Sequence, residues 1–185
     1  MRLTAQTPAP QCLLFDIRGQ RVQLGGATGR PALVSFFRDA ACPFCNFRIY
    51  EFTRHHDALS KQGLDVVAVF TSDVAAVKRF VARTPRPFAV IADPSGNAHQ
   101  AYRIEQSLRG KLKAILTRIP TLLRGLRFVG LHGLNTTNIL PADFLVDGQG
   151  NIVEAWYGRD AGDHIPLARV HAWLGQAALP QVQAA

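Results

Sequence analysis

The chain has 185 residues, 48% of them hydrophobic and 18% charged, enough for one globular domain with a real core and too few for two ordinary ones. That balance excludes a disordered chain or a fibrous repeat. The 21 Lys and Arg against 13 Asp and Glu give a formal charge of +8, and +6 of it lies between Arg103 and Arg127, where Arg103, Arg109, Lys111, Lys113, Arg118, Arg124 and Arg127 meet only Glu105.

In chain order, the first twelve residues hold no apolar run of the kind a secretory signal needs, so a cytoplasmic, reducing location is expected. An early hairpin, Leu13 to Leu24 around Gly19, precedes Ala32 to Phe37, the first core strand. From Pro43 to Gln62, Cys45, Ile49, Phe52, His56 and Leu59 recur at steps of three and four, which predicts a helix ended by Gly63. Leu64 to Phe70 and Phe88 to Ala92 read as further interior strands, with a helix between them capped by Asp73 and running through Arg83. Phe144 to Asp147 and Ile152 to Tyr157 read as a hairpin around Gly148 and Gly150, and Pro166 starts a last helix to Leu174. The pattern predicts an α/β layer fold on a mainly parallel sheet: one domain over 1–176, with a loose tail over 177–185.

Three cysteines are too few for a disulfide scaffold. Cys42-Pro43-Phe44-Cys45 falls where a buried strand gives way to a helix, and Pro43 suits the first helical position, which makes Cys42 the N-cap. A thiolate there faces the free N–H groups and the positive end of the helix dipole, so its pKa should fall to about 7 or lower from about 8.5. The geometry predicts attack by Cys42 and resolution by Cys45. Zinc would need further ligands, and the nearest, His55 and His56, lie roughly 15 Å down the helix. The six histidines form no ligand pattern, so neither a metal nor another cofactor is expected. Two inert core cysteines are the alternative for the pair, and Cys12 reads as an inert thiol or a third redox partner.

Leu33-Val34-Ser35-Phe36-Phe37-Arg38 leading into Cys42-Pro43, Ile91-Ala92-Asp93-Pro94-Ser95-Gly96 followed by Ala101-Tyr102, and Pro141-Ala142-Asp143-Phe144-Leu145-Val146-Asp147 with its hairpin into Tyr157-Gly158-Arg159-Asp160 together resemble the peroxiredoxin-like proteins of the alkyl hydroperoxide reductase and thiol-specific antioxidant family. The resemblance implies a thioredoxin-like fold, a central mixed sheet flanked by helices. It also implies Cys42 as the attacking thiol and Pro141 as a cis-proline facing the pair. This chain departs from the peroxidase pattern at three places, one of them Ser35, seven before Cys42, where the family carries a proline. Asp39 stands three before Cys42, where the family resembles itself in a Ser or Thr, and Pro141 stands where typical peroxidases carry an arginine. Asp39 would repel an anion, or act as a base if protonated or water-bridged. Arg38 is a compensating cation, and Arg159 a second one if its loop folds over the site.

These departures rank dithiol–disulfide exchange through Cys42 and Cys45 first and hydroperoxide reduction through a Cys42 sulfenic acid second. A redox-sensing module that binds through the basic segment is a third reading. A thioredoxin or glutathione system would be the reductant. The segment Arg103 to Leu140 is longer than a thioredoxin fold needs and reads as an insertion, with Leu108, Leu112, Ile115, Leu116, Ile119, Leu122, Leu123 and Leu126 at helical spacing and Pro120 dividing it. Its stripe fits packing on the body, a homodimer contact, or an acidic or membrane-surface partner for 103–127. Nucleic acid fits poorly, because no aromatic residues interleave the charges.

Overall fold

A computed structural model describes residues 1–130 and 137–177. Its centre is a five-stranded sheet ordered β5-β4-β3-β6-β7, built from β3 (Ala32–Phe37), β4 (Asp65–Phe70), β5 (Ala89–Ala92), β6 (Ala142–Val146) and β7 (Ile152–Tyr157). A separate antiparallel hairpin pairs β1 (Cys12–Phe15) with β2 (Arg21–Leu24). The sheet is mixed: β3 runs parallel to β4, and β4 to β5, whereas β6 is antiparallel to both β3 and β7. The sequence reading of a mainly parallel sheet is corrected by β6, which carries the same continuous apolar run because it too is covered on both faces. β5 is an end strand rather than an interior one, and its outer edge is met by the hairpin, where Ile17 N–H donates to Val90 O at 2.9 Å.

Strand alternation divides the core in two. Leu33, Phe37, Val66, Ala68 and Phe70 join one apolar cluster with α1 (Pro43–Lys61), α2 (Val74–Phe80) and α6 (Leu167–Ala177). Val34, Phe36, Val67, Val69 and Ile91 join the other, with the β1–β2 hairpin and α3 (Asn97–Ala101). α1 ends as its sequence implies, on Gly63 in the left-handed conformation at φ 82°. α2 is capped by the Asp73 carboxylate, which accepts from Ala76 N–H at 2.7 Å, and stops three residues earlier than the sequence implied. Ala177 belongs to α6, and residues 178–185 of the expected tail lie outside the described residues.

Two buried acid–histidine pairs pin the layers. Asp93 accepts from the N–H groups of Asn97, Ala98 and His99 at the start of α3 and from the His99 ring at 2.8 Å, while the far ring nitrogen of His99 meets Phe37 O at 2.9 Å. Asp143 on β6, fully buried, contacts the His164 ring at 3.1 Å and accepts from Ile165 N–H at 2.8 Å. The second pair ties the central sheet to the segment leading into α6.

The insertion forms two helices, α4 (Leu108–Thr117) and α5 (Ile119–Val129), broken at Arg118 with Pro120 in the first turn of α5. Packing on the body, one of the readings open for this stripe, holds for only part of it: Leu122 packs on the core beside the inward-facing Gly110, Ala114, Gly125 and Val129, while Leu108, Leu112, Leu116 and Leu123 are exposed. Gly125 shows why. A Cβ there would overlap the Pro43 carbonyl, so α5 approaches the start of α1 as closely as two backbones can. Periodicity identifies which residues share a face, but the small residues decide which face turns in.

Candidate active site

Where β3 ends, the chain turns through residues 38–41 into α1. Cys42 is the N-cap at φ −69° and ψ 125°, Pro43 takes the first helical position, and Cys45 N–H donates to the Cys42 Sγ at 3.4 Å. Asn46 holds the turn: its buried amide donates to Ala40 O at 2.6 Å and to Cys42 O at 3.0 Å. The sequence signal for this role is a polar side chain one turn inside an apolar helix face. Both thiols are free and 0% exposed.

Arg38, only 2% exposed, directs its Nη2 at the Cys42 Sγ over 3.1 Å and its Nη1 at Thr137 O over 3.3 Å. Among the described residues no carboxylate lies within ion-pair distance of this guanidinium. A buried cation requires a counter-charge, and the group it touches is the Cys42 sulfur. Burial disfavours the Cys42 thiolate. The Cys45 hydrogen bond, the Arg38 charge and the helix N–H outweigh it, lowering the Cys42 pKa to about 6. Burial, followed by the neighbouring Cys42, pushes the Cys45 thiol well up. A buried thiol of lowered pKa thus stands one helical turn from a buried thiol of raised pKa.

Asp39 is bonded to the same residue as Arg38. Its carboxylate accepts from Thr137 N–H at 2.6 Å and Thr137 Oγ1 at 2.9 Å. Thr137, the residue on which Arg38 and Asp39 converge, was not anticipated, because the contact spans 98 positions. Two further expectations are corrected. No cis peptide bond occurs among the described residues, so Pro141 follows a trans bond, and its carbonyl accepts from Gly158 N–H at 2.9 Å in the manner of an ordinary strand-start proline. Arg159 does not fold over the thiols: its side chain is 78% exposed and lies 3.5 Å from Asp163.

Arg118, not singled out beforehand, fastens the insertion beside the site, with its Nε 2.7 Å from the Asp160 carboxylate. Leu122 packs against the cluster that holds both cysteines, and the Tyr50 and Phe128 rings lie 5.8 Å apart. The helices of the insertion thus form part of the cover over Cys42. Replacing Gly125 with Val should force α5 off Pro43, at about 1–3 kcal/mol for the overlap. Faster maleimide labelling of Cys42 and a lower melting temperature are the expected results, and unchanged labelling would show that α5 does not limit access.

Cys12 occupies a different environment. It lies in β1 against the second core cluster, and burial followed by the charge of Asp93 raises its pKa. His132 lies outside the described residues. Among those described, no group of three or more His, Cys, Asp or Glu is placed to hold a metal ion, and no helix is long and apolar enough to cross a membrane.

The profile of the AhpC/TSA family matches residues 5–155, from before the hairpin into β7. Peroxiredoxin Bcp of Escherichia coli is 28% identical over 123 residues, covering 65% of this chain and 79% of its own. Among solved structures, peroxidoxin BcpB from Mycobacterium tuberculosis superposes with a TM-score of 0.65 at 15% identity, covering 97% of this chain and 99% of its own. A candidate thiol:disulfide interchange protein DsbE from Chlorobium tepidum gives a TM-score of 0.63 at 18% identity, covering 96% and 99%. At those identities the structures speak for the thioredoxin fold, which serves both chemistries, whereas the family match spans the thiol turn and most of the sheet. The chain belongs to the AhpC/TSA family and is a thiol oxidoreductase of the peroxiredoxin kind.

Proposed function

We propose that the protein is a two-cysteine thiol peroxidase in which Cys42 is the attacking thiol, Cys45 resolves it, and Arg38 is the positioning cation. The observation that carries this reading is the contact of the buried Arg38 guanidinium with the Cys42 Sγ at 3.1 Å, in a site where neither thiol is exposed. A small hydroperoxide needs far less opening to reach such a sulfur than a protein disulfide does. The Cys42 thiolate attacks one peroxide oxygen, the O–O bond breaks, and the alkoxide or hydroxide leaves and takes up a proton, which leaves a Cys42 sulfenic acid. Arg38 stabilises the anion before attack and the charge that develops on the leaving oxygen. The Cys45 sulfur then bonds to the Cys42 sulfur, the sulfenic hydroxyl departs as water with the Cys45 proton, and a disulfide results. An external thiol of the thioredoxin or glutathione type returns two electrons and two protons in a reducing compartment. Residues 1–176 act as one unit, with the insertion 103–140 as its accessory.

A second reading, dithiol–disulfide exchange, is favoured by the Cys-x-x-Cys spacing at a helix start and by Asp39 standing where a peroxide-binding hydroxyl would be. Stopped-flow oxidation of the reduced protein by hydrogen peroxide, an organic hydroperoxide and a small disulfide separates the two. Faster reaction with a hydroperoxide is expected. Rapid reaction with the disulfide and none with either hydroperoxide would replace peroxidase with exchange.

A further inference from the structure

The outward face of the insertion is unusual for a protein surface. Leu108, Leu112, Ile115, Leu116, Ile119 and Leu123 are all exposed, Leu116 at 73% and Leu123 at 59%. At 100° per residue the first four lie within about 100° of arc on one side of α4, opposite the buried Gly110 and Ala114. Arg109 and Lys113 border this stripe along one side, and Arg127 and Arg124 lie next to Leu123 on α5. From Gln106 to Gly130 the sequence has no acidic residue. Scattered exposed leucines require no explanation, but a continuous apolar row edged by cations does.

We propose that the α4–α5 face is a docking surface for an anionic lipid bilayer, on which the leucines enter the acyl boundary while the arginines and lysines meet the headgroups. Charge complementarity selects this occupant. A second copy of the chain would press one basic face against another, which like-charge repulsion disfavours. A bilayer accepts both halves of the pattern, because long basic side chains extend their charged ends to the headgroups while their stems stay with the apolar row. On the flank of α5, a cavity of about 420 Å³ is lined by Phe47, Tyr50, Phe128, Arg124 and Arg127. It places aromatic rings beside cations, the combination enriched at membrane interfaces. This inference is independent of the thiol chemistry.

The test is co-sedimentation of the full chain with vesicles of phosphatidylcholine alone or of phosphatidylcholine with phosphatidylglycerol. Binding to the anionic vesicles at low salt, release at high salt and little binding to the neutral ones are expected. Replacing Arg109, Lys113, Arg124 and Arg127 with Gln should weaken binding about 100-fold or more, since each cation near an anionic surface contributes roughly fivefold. A second variant, Leu112→Ser with Leu116→Ser and Leu123→Ser, changes only exposed side chains and should keep the wild-type melting temperature while losing binding. No sedimentation of the wild type at low salt overturns the proposal. So does undiminished binding by the leucine variant, which would mark a purely acidic partner. A dimer in solution that the leucine variant abolishes, without vesicle binding, would assign the face to a second copy instead.

Discussion

Replacing Arg38 with Met is expected to raise the Cys42 pKa from about 6 to or above the free-thiol range near 8.5, because burial persists while the counter-charge is gone. At neutral pH the rate of reaction with hydroperoxide should then fall by about two orders of magnitude, through loss of thiolate and of leaving-group stabilisation. Ultraviolet thiolate absorbance against pH reads the first effect without requiring access to the buried sulfur. The sign for stability follows from the same pairing. A depressed Cys42 pKa contributes stability that is present above the free-thiol pKa and lost as pH falls through about 6. Cys42→Ala should therefore be costly, about 3–5 kcal/mol, because it leaves a buried guanidinium with no counter-ion. Adding Arg38→Met to Cys42→Ala should restore much of that loss, the opposite of additive behaviour. Additive losses in the cycle would show that the two side chains do not depend on one another.

The other large effect belongs to Asp143. Its carboxylate is buried on the interior strand β6, beside His164 and Ile165 N–H. Asp143→Ala should destabilise the fold by about 3–5 kcal/mol, because His164 and a backbone donor lose their acceptor. Burial alone would raise the Asp143 pKa, but His164, with Arg48 behind it, lowers it overall, and Asp93 is lowered by His99 against the same burial penalty. For an acid with a depressed pKa, stability is present above the unfolded value of about 3.9 and is lost as pH falls below it through the folded one. Denaturant unfolding from neutral pH downward should show a contribution from these two acids that holds to about pH 4 and then collapses. An Asp143→Ala protein with wild-type stability would contradict this account.

Much of the site was legible because its determinants are local. Pro43 in the first helical position fixes Cys42 as N-cap, and the helix spacing puts Cys45 over it; both follow from four adjacent residues. The core strands were legible because each is a mostly apolar run of the right length, bounded by turn residues. What escaped the sequence depends on distant contacts. Arg38 reads as a compensating cation, but its burial between Cys42 and Thr137 depends on a residue 99 positions away, and so does the bonding of the Asp39 carboxylate to the same Thr137. Pro141 followed the family expectation of a cis bond, although an ordinary trans proline satisfies the strand start equally well. The insertion was expected to divide at Pro120 and breaks two residues earlier, at Arg118, and its amphipathic pattern did not reveal that Gly110, Ala114 and Gly125 would face the protein while most of the leucines stay outside.

The central claim is that Cys42 and Cys45 work as one redox pair. Treating the reduced protein with one equivalent of hydroperoxide and mapping the products by intact mass and non-reducing peptide analysis tests it directly. The account predicts loss of two hydrogens in the wild type, a Cys42–Cys45 disulfide with Cys12 untouched, and one added oxygen on Cys42 in Cys45→Ser. An oxygen retained on Cys42 of the wild type, or a disulfide that includes Cys12, would contradict it.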